Sequence, residues 1–100
     1  MRKMAFISRH NPTTTQETLA MEQGFTLVHI GDMDAFNVKP EDVQTLGDFA
    51  AVAVVHPAAA LRLAKQYQIG VFENANRAAV GEPPRFEAVA LYMYNLTSST

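Results

Sequence analysis

Ala50-Ala51-Val52-Ala53-Val54-Val55, then His56-Pro57, then Ala58-Ala59-Ala60-Leu61-Arg62-Leu63-Ala64-Lys65 is the stretch whose reading decides the fold. Its first six residues are small or β-branched and uncharged, as expected of a parallel strand covered on both faces. Pro57 ends such a strand, and its fixed φ suits the first residue of a helix. Beyond it Leu61, Ala64 and Tyr67 recur at helical spacing, while Arg62, Lys65 and Gln66 point elsewhere. A buried strand feeding a helix puts the joining residues at the strand's carboxyl end. Ligands of open α/β sheets bind along that edge, so His56 stands where a functional side chain would serve.

Outward from this stretch the pattern repeats. Met4-Ala5-Phe6-Ile7 reads as the first strand and breaks into Ser8-Arg9-His10-Asn11-Pro12. Asn11, before proline, is steered away from helix. Thr14 and Glu17 have the spacing of a capping box, Leu19, Ala20 and Met21 supply a short apolar stripe, and Gly24 closes the helix. Phe25 to Ile30 is the second strand and stops at Gly31-Asp32-Met33-Asp34. Between Asn37 and Gly47, an early Pro40 with Glu41 and Asp42 in the first turn predicts one short helix. Gln68 to Phe72 is the fourth strand, ending in Glu73-Asn74-Ala75-Asn76-Arg77, and Gly81-Glu82-Pro83-Pro84 is a turn or loop. Phe86 to Leu96 fits a helix through Phe86, Val89, Ala90, Met93 and Leu96. Its Val, Leu and Tyr content tips the reading to a strand.

Alternating strands and helices indicate the α/β class. The expected architecture is a small open parallel sheet, Rossmann- or flavodoxin-like, with strand order 2-1-3-4 and an extra edge strand near the C-terminus. Residues 1–96 form one domain and 97–100 a frayed tail. The exits of strands one and three flank the switch point, so Ser8 to Asn11 and His56 are expected to face one crevice.

The totals narrow the function. One hundred residues, 48% of them apolar, suffice for a single core. A net charge of −2 argues against general nucleic-acid binding, whose affinity comes from massed Lys and Arg. It leaves room for one local anion pocket. Without cysteine there is no disulfide, thiolate nucleophile or thiolate metal site. The first apolar run is too short for a signal peptide and no stretch reaches the length of a membrane span, so a cytoplasmic protein without a membrane partner is expected.

Four strand ends deliver polar residues to one edge. Arg9 offers planar donors suited to phosphate, with a solvated loop arginine or a pair with Asp32 as the plainer alternative. His10 suits a general acid or base near neutral pH, or is a polar loop residue. His56 either touches a ligand at the following helix start or bonds the backbone there. Ser8 lacks a Gly-x-Ser-x-Gly setting and is read as a hydrogen-bonding group. Asp32 and Asp34 with His10 have the makings of a divalent-metal site, but capping the segment after strand two is favoured, and no metal or cofactor is assigned. Glu73 is an acid or base, or the ion-pair partner of Arg77, and the pair is favoured. Asn11 and Asn74 complete the ligand-binding set. His29 reads as structural, and Tyr92 and Tyr94 as packing residues. Asn11-Pro12-Thr13 occupies the turn where a dinucleotide fold carries Gly-x-Gly-x-x-Gly, so NAD or FAD binding is not expected.

Three features carry a family resemblance: the exit Phe6-Ile7-Ser8-Arg9-His10, the run through His56-Pro57 into Ala59-Ala60-Leu61-Arg62-Leu63-Ala64, and the short chain with its brief strand-four exit. Together they resemble the very small Rossmann-like ring-nuclease-type proteins found with CRISPR systems, which bind or degrade cyclic oligoadenylates. The resemblance touches well under half of the chain. The Asp32-Met33-Asp34 turn and the Phe86 to Leu96 segment have no counterpart in it. It implies a homodimer with a two-fold symmetric pocket and metal-independent phosphodiester cleavage by the ribose 2′-hydroxyl. Arg9 and His10 would match phosphate-contacting positions and His56 the loop after strand three. The expected function is binding, with or without cleavage, of a small phosphate-containing nucleotide at the carboxyl edge of the sheet. The alternative is a non-catalytic protein-interaction module of a phage or mobile element, its aromatic Phe86 to Tyr94 segment adding an edge strand to a partner.

Overall fold

The computed structural model describes residues 1–34, 36–54 and 57–95. Ala35, Val55, His56 and 96–100 lie outside the described residues, and with them the expected site residue His56, the end of the third strand's apolar run and the tail. Among the described residues the chain runs β1 (Arg2–Ile7), α1 (Thr14–Glu22), β2 (Phe25–Ile30), α2 (Pro40–Gln44), β3 (Ala51–Ala53), α3 (Pro57–Leu63), β4 (Gln68–Asn76) and β5 (Phe86–Tyr94). One sheet results, in the order β2-β1-β3-β4-β5. Strands β1 to β4 are parallel, as expected, while β5 returns antiparallel to β4 and makes the sheet mixed. Among the described residues no helix is long and apolar enough to cross a membrane.

Residues along β1 alternate between two cores. Ala5 and Ile7 join Val52, Val54 and Ile69 under Val43 of α2 and Ala59 and Leu63 of α3. Met4 and Phe6 join Ala51, Ala53, Phe25 and Leu91 under Ala20 of α1. Helices thus cover both faces, which is why Met4 to Ile7 is an uninterrupted apolar run. Gly70 of β4 fits this second core tightly: a Cβ there would come within 3.2–3.3 Å of Leu91 Cδ1, Met4 Sδ and Met93 Sδ.

Local details differ from the sequence pattern in three places. The capping box of α1 is Thr13 with Gln16, one residue before the expected Thr14 and Glu17. Gln16 N donates to Thr13 Oγ1 at 3.1 Å and Thr13 N to Gln16 Oε1 at 2.9 Å. Both registers satisfy the motif, and the earlier one adds one helical residue, Thr14. Gly24, with φ +87°, closes this helix as expected. In α3, Leu61 is 68% exposed. The buried row there is Ala59 and Leu63, extended past the helix by Tyr67, four residues apart each time. Arg62, beside Leu61, turns instead to the β2–α2 loop, its Nε donating to Val38 O at 3.2 Å and its Nη2 to Phe36 O.

The third difference shapes the site. Instead of ending at Phe72, β4 continues to Asn76 because β5 supplies its hydrogen-bonding partners, from Phe72 opposite Leu91 to Asn76 opposite Phe86. The register shifts between Glu73 and Asn74, where β5 carries one extra residue, Val89. On the other side β3 stops at Ala53, opposite Gly70. Among the described residues Val71 to Asn76 therefore pair with β5 alone, and this two-stranded ribbon runs about 20 Å past the end of β3 at the usual rise per residue.

Burial makes opposite predictions for two neighbours of α3. Leu63→Ala should cost about 2–5 kcal/mol in urea unfolding, as for a fully buried leucine. Leu61→Ala should stay within about 0.5 kcal/mol of the parent. Equal losses at the two positions would contradict the orientation of the helix.

Candidate functional site

The parallel register sends several strand exits to one edge. Ile7 lies opposite Ile30, and Ala53 lies opposite both Phe6 and Gly70. Ser8 to Asn11, Asp32, Asp34, Glu73 and Asn74 all follow those levels, so topology delivers them to the carboxyl edge. Glu73 and Asn74 arrive on a strand rather than in the expected exit loop.

The first exit is held by its own backbone and by His29. Ser8 Oγ accepts from the His10 amide at 3.1 Å. Ser8 O lies 2.7 Å from His29 Nε2, and a carbonyl can only accept, so this nitrogen carries the proton. The His29 ring is tilted against Phe6 at 6.3 Å. His29 is structural as expected, and what it fixes is the start of the loop that carries Arg9 and His10.

At the second exit Asp34 caps the segment after β2. Its Oδ1 accepts from Phe36 N at 2.9 Å and its Oδ2 from Asn37 Nδ2 at 2.7 Å. The Phe36 amide above all, then Asn37, holds the Asp34 carboxyl below its ordinary range, and the charges of Arg9 and Arg62 act in the same direction. Among the described residues no ion pair joins Arg9 and Asp32. Among the described residues no three His, Asp or Glu side chains gather where they could hold a metal ion.

The favoured Glu73–Arg77 pair does not form. Glu73 Oε1 accepts from Tyr92 OH at 3.1 Å, and this bond, with the carboxylate charge behind it, raises the Tyr92 phenol above its usual range. Arg77 Nε lies 3.7 Å from Glu87 Oε2 instead. The hairpin register explains the exchange: Glu87 stands opposite Ala75, two residues before Arg77, while Glu73 is diagonal to Tyr92. Tyr92 and Tyr94 were expected to pack, yet each is 48% exposed.

A cleft of about 320 Å³ opens between α1 and the ribbon. That is the lower end of the ~300–1,000 Å³ range of small-molecule sites. The first turn of α1 and its cap supply Thr13, Thr15 and Gln16. The ribbon supplies Asn74, Ala88 and the consecutive Arg85-Phe86-Glu87. Two bonds join these walls. Thr15 Oγ1 donates to Glu87 Oε1 at 3.4 Å, and Gln23 Nε2, at the other end of the helix, donates to Leu91 O at 3.1 Å. The helical rise gives about 12 Å from Thr15 to Gln23, and the strand rise about 13 Å from Glu87 to Leu91. Helix α1 therefore lies alongside β5.

The cleft is chemically two-sided. Arg85 is positioned by its amide, which donates to Asn76 Oδ1 at 3.0 Å, and by Nη2, which donates to Arg77 O at 3.2 Å. Among the described residues its other guanidinium donors have no partner and remain for a ligand. The α1 start adds the Thr14 and Thr15 amides, which have no intrahelical acceptor, and the positive end of the helix dipole. Phe86 is 68% exposed. Of the residues singled out from sequence, the cleft takes Asn74. A strand that stops at Phe72 hides Arg85, Phe86, Glu87 and Ala88 as cleft residues, and nothing in the spacing of Thr13, Thr15 and Gln16 marks them beyond their place at a helix start. The signal was present: polar Asn76-Arg77 and Arg85 bracket the Gly81-Glu82-Pro83-Pro84 turn of a hairpin.

Asp34 makes stability depend on pH. Its folded pKa lies below the ordinary 3.8, so its contribution is complete above that value and is lost as pH falls through the folded pKa. Asp34→Asn keeps an oxygen for the Phe36 amide and removes the charge. The variant should be less stable than the parent at neutral pH, and the two should converge well below pH 3.8. Denaturant curves at a series of pH values check this, and a gap independent of pH would contradict it.

No family model matches the chain, and neither a curated protein nor a solved structure matches it, so what the cleft takes is argued from its own residues.

Proposed function

We propose that the chain binds a small phosphate-containing nucleotide at the carboxyl edge of a Rossmann-like sheet, seated in the cleft between α1 and the β4–β5 ribbon. One observation carries the reading: a guanidinium, an open aromatic ring and the start of a helix line the same cleft. Phosphate asks for oriented N–H donors, which Arg85 and the first α1 amides offer. A base asks for a flat apolar surface, and stacking on an aromatic ring is worth about 1–3 kcal/mol per base. Phe86 offers that surface. A net acidic chain can bind one anion this way because the donors are local.

Ser8, Arg9, His10 and Asn11 lead from β1 to the cleft-lining Thr13, and Asp32 and Glu73 stand on the same edge. By the family resemblance, a cyclic oligoadenylate held by a homodimer in the cytoplasm is the proposed ligand complex. Its cleavage would use His10 and His56 for proton transfer. The second reading, a protein-interaction module, is favoured by the exposed Val71, Tyr92 and Tyr94 on the ribbon. Pairing of a partner along Glu87 to Leu91 is disfavoured, since α1 already lies there.

Thermal melting with inorganic phosphate, mononucleotides, and linear and cyclic oligoadenylates tests the proposal. A nucleotide that binds should raise Tm by mass action. Arg85→Ala should abolish the shift, and Arg9→Ala should reduce it less. No shift with any of these ligands would overturn the nucleotide reading.

A further inference from the structure

We infer that Glu87 is a ligand-reading carboxylate that selects ribonucleotides over 2′-deoxyribonucleotides by accepting a hydrogen bond from the ribose hydroxyl. The inference rests on the nucleotide reading above. Glu87 lines the cleft two residues from Arg85, with Phe86 between them. A carboxylate beside an anion-binding guanidinium repels phosphate, so the phosphate belongs at the Arg85 side. An ionised carboxylate can only accept hydrogen bonds, so what Glu87 holds must donate.

Its present partners leave it capacity. Thr15 Oγ1 stands at 3.4 Å from Oε1 and Arg77 Nε at 3.7 Å from Oε2, both long, and the side chain is half exposed. Together they fix where the carboxylate sits without filling its lone-pair sites. A ligand with an anion at one end and hydroxyl donors at the other fits this polarity. Sugar phosphates and ribonucleotides share that chemistry, and Phe86 favours the one that carries a base. The cleft's size admits a single nucleotide unit.

The test is calorimetric titration of the whole chain with the four ribonucleoside 5′-monophosphates, their 2′-deoxy counterparts and ribose 5-phosphate. The parent should bind its preferred ribonucleotide about tenfold more tightly than the deoxy form, as expected for a hydrogen bond to a charged group. Ribose 5-phosphate should bind at least as weakly as the deoxy form. Glu87→Ala should bring ribo and deoxy affinities within about twofold while leaving the deoxy affinity in place. Thr15→Val, which removes the brace and keeps the carboxylate, should retain the ribo preference. Equal ribo and deoxy affinities in the parent, or a preference that survives Glu87→Ala, would overturn the inference and leave the nucleotide reading standing. Tighter binding of ribose 5-phosphate than of any nucleotide would overturn the assignment to Phe86 and with it the ribonucleotide class. Failure of every ligand to bind would remove both.

Discussion

Burial of β1 on both faces is the constraint from which the other elements follow. Met4, Ala5, Phe6 and Ile7 are all buried, and consecutive residues of a strand point to opposite faces. Burying Met4, Phe6 or Ile7 is worth about 1.5–3 kcal/mol each, but only if something covers it. Helix α1 covers one face and α2 with α3 cover the other. To reach both faces the chain pairs β2 on one side of β1 and β3 on the other, which is the reversal that opens a crevice at the carboxyl edge.

The ribbon is the second consequence. All three residues of β3, Ala51, Val52 and Ala53, are buried in the core. Strand β4 then outruns its parallel neighbour, and its remaining backbone groups need partners. β5 provides them, and the extra Val89 adjusts the register where the ribbon leaves the sheet. Edge strands invite unwanted pairing, and here α1 lies along β5, tied at Thr15 and Gln23. The cleft is the gap left where α1 begins and the ribbon has not yet joined the sheet.

This explains which parts were readable in the sequence. The strand order followed from apolar runs and from crossover rules, because burial on both faces writes itself into composition at Met4 to Ile7 and Ala50 to Val54. Asp34's capping role followed from its residue type and place. The ribbon was hidden because Glu73, Asn74, Asn76 and Arg77 look like an exit loop. They are polar because, among the described residues, β3 does not flank them and neither core extends to them, not because the strand has ended. Leu61 misled for the converse reason: Ala64 and Tyr67 are buried as the spacing indicates, but the row that meets the sheet begins at Ala59 and Leu63 and leaves Leu61 in solvent.

The charges of the cleft are better understood as placement than as stabilisation. Arg77 and Glu87 are both about half exposed at 3.7 Å, where an ion pair contributes about 0–1 kcal/mol. The Thr15–Glu87 bond, at 3.4 Å, is long for an O–H donor. Neither contact is strong enough to account for the fold of the ribbon, which the β4–β5 ladder already secures. Both act on the same carboxylate from opposite sides, one from α1 and one from the ribbon tip, and so restrict its position more than they add to stability. A side chain located by weak bonds keeps its acceptor capacity. In a chain of net charge −2 an anion can be held only where donors converge locally. Arg85 and the α1 start provide such a place, with Glu87 marking its far limit.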